Sequence, residues 1–158
     1  MTPAEQLYFR DDGRVPNNPL PALVYHQVAG DAAAFEQLFA RHQWVPLWRD
    51  GIFDYHHYHS NAHEVLGVAG GSARVMLGGE QGQIISLVQG DVLVLPAGTG
   101  HCALSHSDDF LVVGAYPQGQ EDYDIRRPKA ATHHASRTRI AKLALPAQDP
   151  VVGGVIWA

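Results

Sequence analysis

The stretch GIFDYHHYHSNAHEVLGVAGG, Gly51 to Gly71, holds four of the chain's ten histidines, His56, His57, His59 and His63, within eight residues. Its spacing runs Gly51, five residues, His57, one residue, His59, four residues, Glu64, six residues, Gly71. On an extended strand, side chains two apart share a face, so His57 and His59 project together while His56 and Tyr58 point the other way. The SNA stretch makes a turn, and Glu64 starts a returning strand. Two imidazole nitrogens and a carboxylate oxygen then converge on one point, the outline of a transition-metal site. A ligand pair using His56 and His59, or one using His63, is the competing choice, and strand alternation favours His57 with His59.

A second segment has the order Gly90, five residues, Pro96, one residue, Gly98, two residues, His101. Pro96 closes the strand-like run DVLVLP, the AGTG stretch reverses the chain at little steric cost, and His101 opens the next run as a fourth candidate ligand. Together the two segments match the pair of motifs that mark the cupin superfamily, and the chain resembles a cupin. The wider run, including YHHYHSNAHEVLG, LGGEQG and GDVLVLPAGTGHC, is similar to small single-domain bacterial cupins of the YjlB type. One departure is that Ser105 stands where the second motif usually carries an asparagine, a position outside the metal-ligand set. The motifs span Gly51 to Ser105, about a third of the chain.

The resemblance implies an all-β fold, a double-stranded β-helix or jelly-roll barrel, with a metal inside its mouth held by His57, His59, Glu64 and His101. Three neutral imidazoles and one carboxylate leave a divalent ion one net positive charge and up to two exchangeable positions. One transition metal per chain is expected, with Fe, Mn, Ni, Co and Zn all compatible with that ligand set. The activity implied is that of a metal-dependent enzyme, dioxygenase-like or isomerase-like, on a small polar organic molecule. The alternative is a binding or sensing module with a structural metal, since a fold does not fix a function.

The rest of the chain is consistent with this outline. Its 158 residues, 46% hydrophobic and 17% charged, suit one domain with its own core. Sixteen glycines and ten prolines fit short strands and tight turns. The runs EVLGVAG, ARVML, QIISLV, DVLVLP, HCALS and DFLVVGAY, separated by turn residues, carry an all-β rhythm, and IFDYHHYH is expected to be a strand as well. Residues 1–50 read as a polar arm, a first strand LVYHQV and a short helix over DAAAFEQLFARH, capped by Asp31 and packed through Phe35, Leu38 and Phe39. Residues 51–158 read as the barrel with a C-terminal extension, in which RIAKLALP and VVGGVIWA return to the sheet as strands.

Other residues have blander readings. Cys102, next to His101, should face away from the metal as an inert buried thiol. Phe53 and Tyr55 share parity with His57 and line the pocket or the core. Arg74 and Met76 either face inward or are solvated, and Arg126 and Arg127, beside Asp122 and Asp124, read as a solvated loop. A formal charge of -5 argues against nucleic acid or an anionic membrane as partner. The N-terminal stretch lacks a signal peptide's apolar segment, the single cysteine makes no intramolecular disulfide, and no run is long enough to span a membrane. A cytoplasmic protein is expected. It should bind a small molecule and form a homodimer, the arm adding a strand to a partner's sheet edge.

Overall fold

The computed structural model describes residues 3–157, so Met1 and Thr2 of the arm and Ala158 of the tail lie outside the described residues. Nine strands and two helices follow one another as β1 (Glu5–Leu7), β2 (Ala22–Tyr25), α1 (Ala32–Arg41), β3 (Trp44–Asp50), β4 (Glu64–Gly70), β5 (Ser72–Leu77), β6 (Gln83–Val88), β7 (Val92–Leu95), β8 (His101–His106), β9 (Leu111–Pro117) and α2 (Ala130–Lys142). The strands form a six-stranded sheet in the order β1-β2-β7-β4-β9-β3 and a three-stranded sheet in the order β6-β5-β8. Each pairing is antiparallel. No helix among the described residues is long and apolar enough to cross a membrane.

The apolar runs are continuous because the larger sheet is covered on both faces. Along β4, Val65 and Ala69 join one buried cluster and Leu66 and Val68 the other. Along β7, Val92 and Val94 alternate with Leu93 and Leu95 in the same way. One cluster lies under α1 and includes Phe35 and Phe39, while the other includes Ala73, Val75 and Leu77 of the smaller sheet. Helix α1 comes close to β4 because Gly67 has no side chain: a Cβ there would lie 2.7 Å from the Phe35 ring. As expected, Asp31 caps this helix by accepting from the Ala34 N–H at 2.8 Å.

Three expectations for individual segments, those of strands at IFDYHHYH, RIAKLALP and VVGGVIWA, are corrected. IFDYHHYH forms no regular strand and makes isolated bridges at His57 and Tyr58. The strand before it is instead WVPLWRD, β3, which tolerates Pro46 because it lies at the sheet edge with a register break between Pro46 and Trp48. RIAKLALP does not return as a strand: its first residues complete α2, an alanine-rich helix with Ser136 its one buried residue and Arg139 and Lys142 in its last turn. The arm supplies β1 to the edge of the chain's own β2.

Of the tail VVGGVIWA, the described residues 151–157 pack on the larger sheet as irregular chain. Val151 and Ile156 enter the cluster under α1, and the Trp157 indole N–H donates to the Pro21 carbonyl at 2.8 Å. Its anchor is Asp149, which is buried, accepts from the Val151 and Val152 N–H groups at 2.7 and 3.1 Å, and takes the Tyr25 hydroxyl on its other oxygen. Burial, reinforced by the bond to Asp149, raises the Tyr25 phenol above its ordinary range. A raised phenol stabilises the fold below its unfolded value of about 10 and loses that contribution as pH rises beyond it. Tyr25→Phe should therefore cost about 1–3 kcal/mol near neutrality, because a buried carboxylate oxygen loses its donor. The gap to wild type should narrow above roughly pH 10, and urea midpoints measured at neutral and alkaline pH check both statements.

Candidate metal centre

The segment between β3 and β4 is irregular, yet it holds its histidines firmly. His57 and His101 exchange backbone hydrogen bonds, with His57 N–H to His101 O at 3.2 Å and His101 N–H to His57 O at 2.9 Å. Tyr58 and Arg126 are paired in the same manner, both at 2.9 Å, and Gly98 N–H donates to His59 O at 2.8 Å. These contacts impose locally the alternation expected of a strand. His57 and His59 face the interior beside His101, while fully buried Tyr58 points the other way and donates its hydroxyl to Ser136 at 2.9 Å. Glu64 enters from the first position of β4 and His101 from the first position of β8. The structure thus brings together all four residues singled out in the sequence.

The imidazoles are oriented by backbone carbonyls. The Nδ1 of His57 meets Tyr55 O at 3.1 Å, that of His101 meets Thr99 O at 3.0 Å, and that of His59 meets Asp124 O. A carbonyl only accepts, so each Nδ1 carries the proton and each Nε2 is left with its lone pair. One nitrogen from each of the three rings lies within 4.8 Å of the other two, and all three residues are buried. Glu64, equally buried, places Oε2 3.1 Å from His59 Nε2 and Oε1 3.2 Å from His101 Nε2. His59 Nε2 and Glu64 Oε1 nevertheless make no directed hydrogen bond. Buried acceptors facing one another call for a cation between them, and this donor set of imidazole nitrogens and a carboxylate fits a divalent transition metal. Three buried histidines here can hold such an ion.

Charge follows the same geometry. Burial, together with neighbouring His101, pushes His57 down to about 3, which keeps it neutral. Burial alone would lower His59, but the Glu64 carboxylate outweighs it and raises the imidazole. Burial would raise Glu64, yet His59 and His101 hold it well below the ordinary carboxylate range.

The residues that support this group lie far away in the chain. Tyr116 on β9 donates its hydroxyl to Glu64 Oε2 and accepts from the Trp48 indole N–H at 2.9 Å. Trp48 faces Gly114 across β3 and β9, and its indole lies where a Cβ on that glycine would come within 2.2 Å of the ring. The Tyr123 ring stacks on Tyr116 at 4.0 Å between centroids, inclined by 9°. Asp124, whose carbonyl orients His59, accepts from Ser60 N–H at 2.6 Å, from the Ser60 hydroxyl, and from Arg126 Nε at 2.7 Å. Arg139 of α2 donates to Ser60 Oγ at 2.8 Å, so the second helix braces this network from outside. The loop expected to be merely solvated is therefore a strap across the site. A cavity of about 540 Å³ opens above the four residues, lined by Trp48, Ile52, Phe53, Phe110, Tyr123 and Ile125 among others.

The remaining candidates fall as follows. His56 approaches the Cys102 sulfur at 3.8 Å, away from the cluster, and burial pushes that buried thiol up. His63 accepts from Ala97 N–H at 2.9 Å, lies 5.1 Å from the tilted Trp157 ring, and is lowered by burial to about 4. Phe53 lines the cavity, whereas Tyr55 stacks on Phe53 and lies under the Arg127 guanidinium at 3.8 Å. Arg74 is exposed, Met76 half-buried, and the inward residues of β5 are Ala73, Val75 and Leu77. Trp48, Tyr116, Tyr123 and Asp124 were not singled out. For Tyr116 and Trp48, the available signal was an aromatic residue in an apolar strand run.

A cupin family model matches residues 49–127, the span that carries both motifs. The chain belongs to the cupin family. A curated relative, the uncharacterized protein YjlB of Bacillus subtilis, is 44% identical over 147 residues, covering 92% of this cupin and 88% of the relative. Among solved structures, procruciferin, an 11S globulin from Brassica napus, matches 73% of this chain and 29% of its own at 17% identity and a TM-score of 0.45. Acireductone dioxygenase from Bacillus anthracis matches 63% of this chain and 51% of its own at 14% identity and a TM-score of 0.34. This cupin spans less than two thirds of the length of either solved protein.

Tyr116→Phe tests the support of Glu64. It removes a donor from a buried carboxylate and the acceptor of a half-buried indole, which should cost about 1–3 kcal/mol of stability. It should also weaken divalent-metal affinity by roughly 10–100-fold, the usual effect of losing a group that orients a ligand. Thermal unfolding and a chelator-competition titration measure the two effects.

Proposed function

We propose that the chain is a metal-dependent enzyme acting on a small organic molecule, with one divalent transition metal held by His57, His59, Glu64 and His101. The observation that carries this reading is the set of three Nδ1–carbonyl hydrogen bonds, which leaves three Nε2 lone pairs beside one buried carboxylate. An ion held there would supply a Lewis acid for a substrate oxygen or, where redox-active, a centre for dioxygen chemistry. The protein's own groups do the rest. The backbone carbonyls fix the imidazoles, Tyr116 holds one oxygen of Glu64, and the aromatic walls exclude water from an occupant of the cavity. Dioxygenase-like and isomerase-like reactions both fit this arrangement.

The same reading takes the fold as a double-stranded β-helix in one domain, with residues 1–50 contributing β1, β2, α1 and β3 to it alongside the strands of residues 51–158. It also takes the working unit as a cytoplasmic homodimer, joined at the edge of the larger sheet that ends in β1. Light scattering should give about twice the 17.2 kDa chain mass; a monomer mass overturns the dimer.

Metal content decides the central point. Protein purified without chelator or metal-affinity resin should carry about one transition metal per chain by mass spectrometry, and His59→Ala should carry almost none. Near-zero metal that anaerobic loading does not restore overturns the reading. With metal present, oxygen consumption or product formation with small metabolites supports an enzyme, whereas ligand-induced thermal shifts without turnover favour a binding module.

A further inference from the structure

The cavity above the candidate metal centre has a mixed floor and an apolar body. Its walls are the Trp48, Phe53, Phe110 and Tyr123 rings with Ile52 and Ile125. At the rim, Phe53 and Ile125 are 46% and 47% exposed, an apolar edge turned to water where a polar one would cost less. Among the described residues no lysine or arginine lines the cavity; His106 is the one histidine there outside the candidate metal set, and Asp50 the one carboxylate besides Glu64. The arginines nearby in sequence are committed elsewhere: Arg49 to Glu36, Arg126 to Asp124, and Arg127 over the Tyr55 ring. Trp48 has spent its N–H on Tyr116, so it offers the cavity a flat ring. The Tyr123 hydroxyl has no hydrogen-bond partner among the described residues.

We infer that the substrate is a neutral molecule with a planar aromatic body carrying an oxygen donor, and that small carboxylates and phosphates are poor ligands. This rests on the reading of the site as a metal centre only for the oxygen end; the aromatic end is specified by the walls. A multiply charged anion needs a cationic partner for each charge when it leaves water, and beyond an ion on the floor the walls offer only His106, in a lining that also holds Asp50. An aromatic body instead gains apolar burial and ring contacts against Trp48, Phe53 and Phe110, with the Tyr123 hydroxyl free to donate to it. About 540 Å³ is ample for a molecule of two fused rings.

Calorimetry with naphthalene-2,3-diol, pyruvate and malonate tests this on metal-free and cobalt(II)-loaded protein. The diol should bind the cobalt form at least tenfold more tightly than either anion and should change the visible cobalt spectrum. Phe53→Ala and Ile125→Lys, both at half-exposed positions, should each weaken the diol at least fivefold with circular dichroism unchanged. Ile125→Lys should also narrow the gap to malonate. If the chain takes up no cobalt yet the metal-free form binds the diol with the same dependence on Phe53 and Ile125, the metal reading fails and the aromatic specificity stands. Pyruvate or malonate binding as tightly as the diol overturns the inference, as does the absence of diol binding in both forms, or a diol affinity unmoved by both substitutions.

Discussion

Glu64 is a carboxylate removed from water and set against two imidazole nitrogens whose protons are committed elsewhere. An ionised carboxylate so placed is tolerable only with positive charge beside it. Without a metal, a proton on His59 fills that role, which is why the His59 imidazole is raised and the Glu64 carboxyl depressed. A divalent ion held there would supply the same positive charge with the Nδ1–H groups still on their carbonyl partners. Much of the surrounding structure follows from holding that arrangement: the paired backbones of His57 and His101, the Tyr116 hydroxyl on Glu64, and the indole that in turn fixes Tyr116.

The two-sided covering of the larger sheet gives this group a rigid base. Glu64 begins β4, which lies between β7 and β9 and buries Val65 on one face and Leu66 on the other. A central strand packed on both sides resists small displacements, since neither core can yield without opening voids. The close seat of α1 on Gly67 adds to this three residues further along the same strand.

The ligand candidates were legible because their chemistry is encoded in short spacings. His57, His59 and Glu64 lie within eight residues, and His101 follows a proline-glycine turn whose conformation is set locally. The alternation used to pair His57 with His59 holds even though the regular strand does not form, because the isolated bridges at His57 and Tyr58 impose it. The supporting groups were not legible, since Tyr116 is 52 residues from Glu64 and Asp124 is 65 from His59, and only chain folding joins them. Helix α2 escaped for another reason. Its one buried residue is a serine, so no apolar stripe marks it, and RIAKLALP reads as a strand in isolation. Pro46 concealed β3 in the same way, since proline is expected within a strand only at an edge, and edge position is a property of the whole sheet.

Three consecutive residues of the strap link the candidate metal site to the cavity. The carbonyl of Asp124 orients His59, while the side chains of Tyr123 and Ile125 on either side line the space above it. The Asp124 carboxylate is tied to Ser60, immediately after His59, and through Ser60 to Arg139 on α2. Any shift of the strap that admits an occupant therefore also moves the acceptor that sets the His59 ring. The ionic and hydroxyl contacts behind the strap limit that movement, so a helix with almost no apolar core of its own reaches the site through its hydrogen bonds to Ser60 and Tyr58.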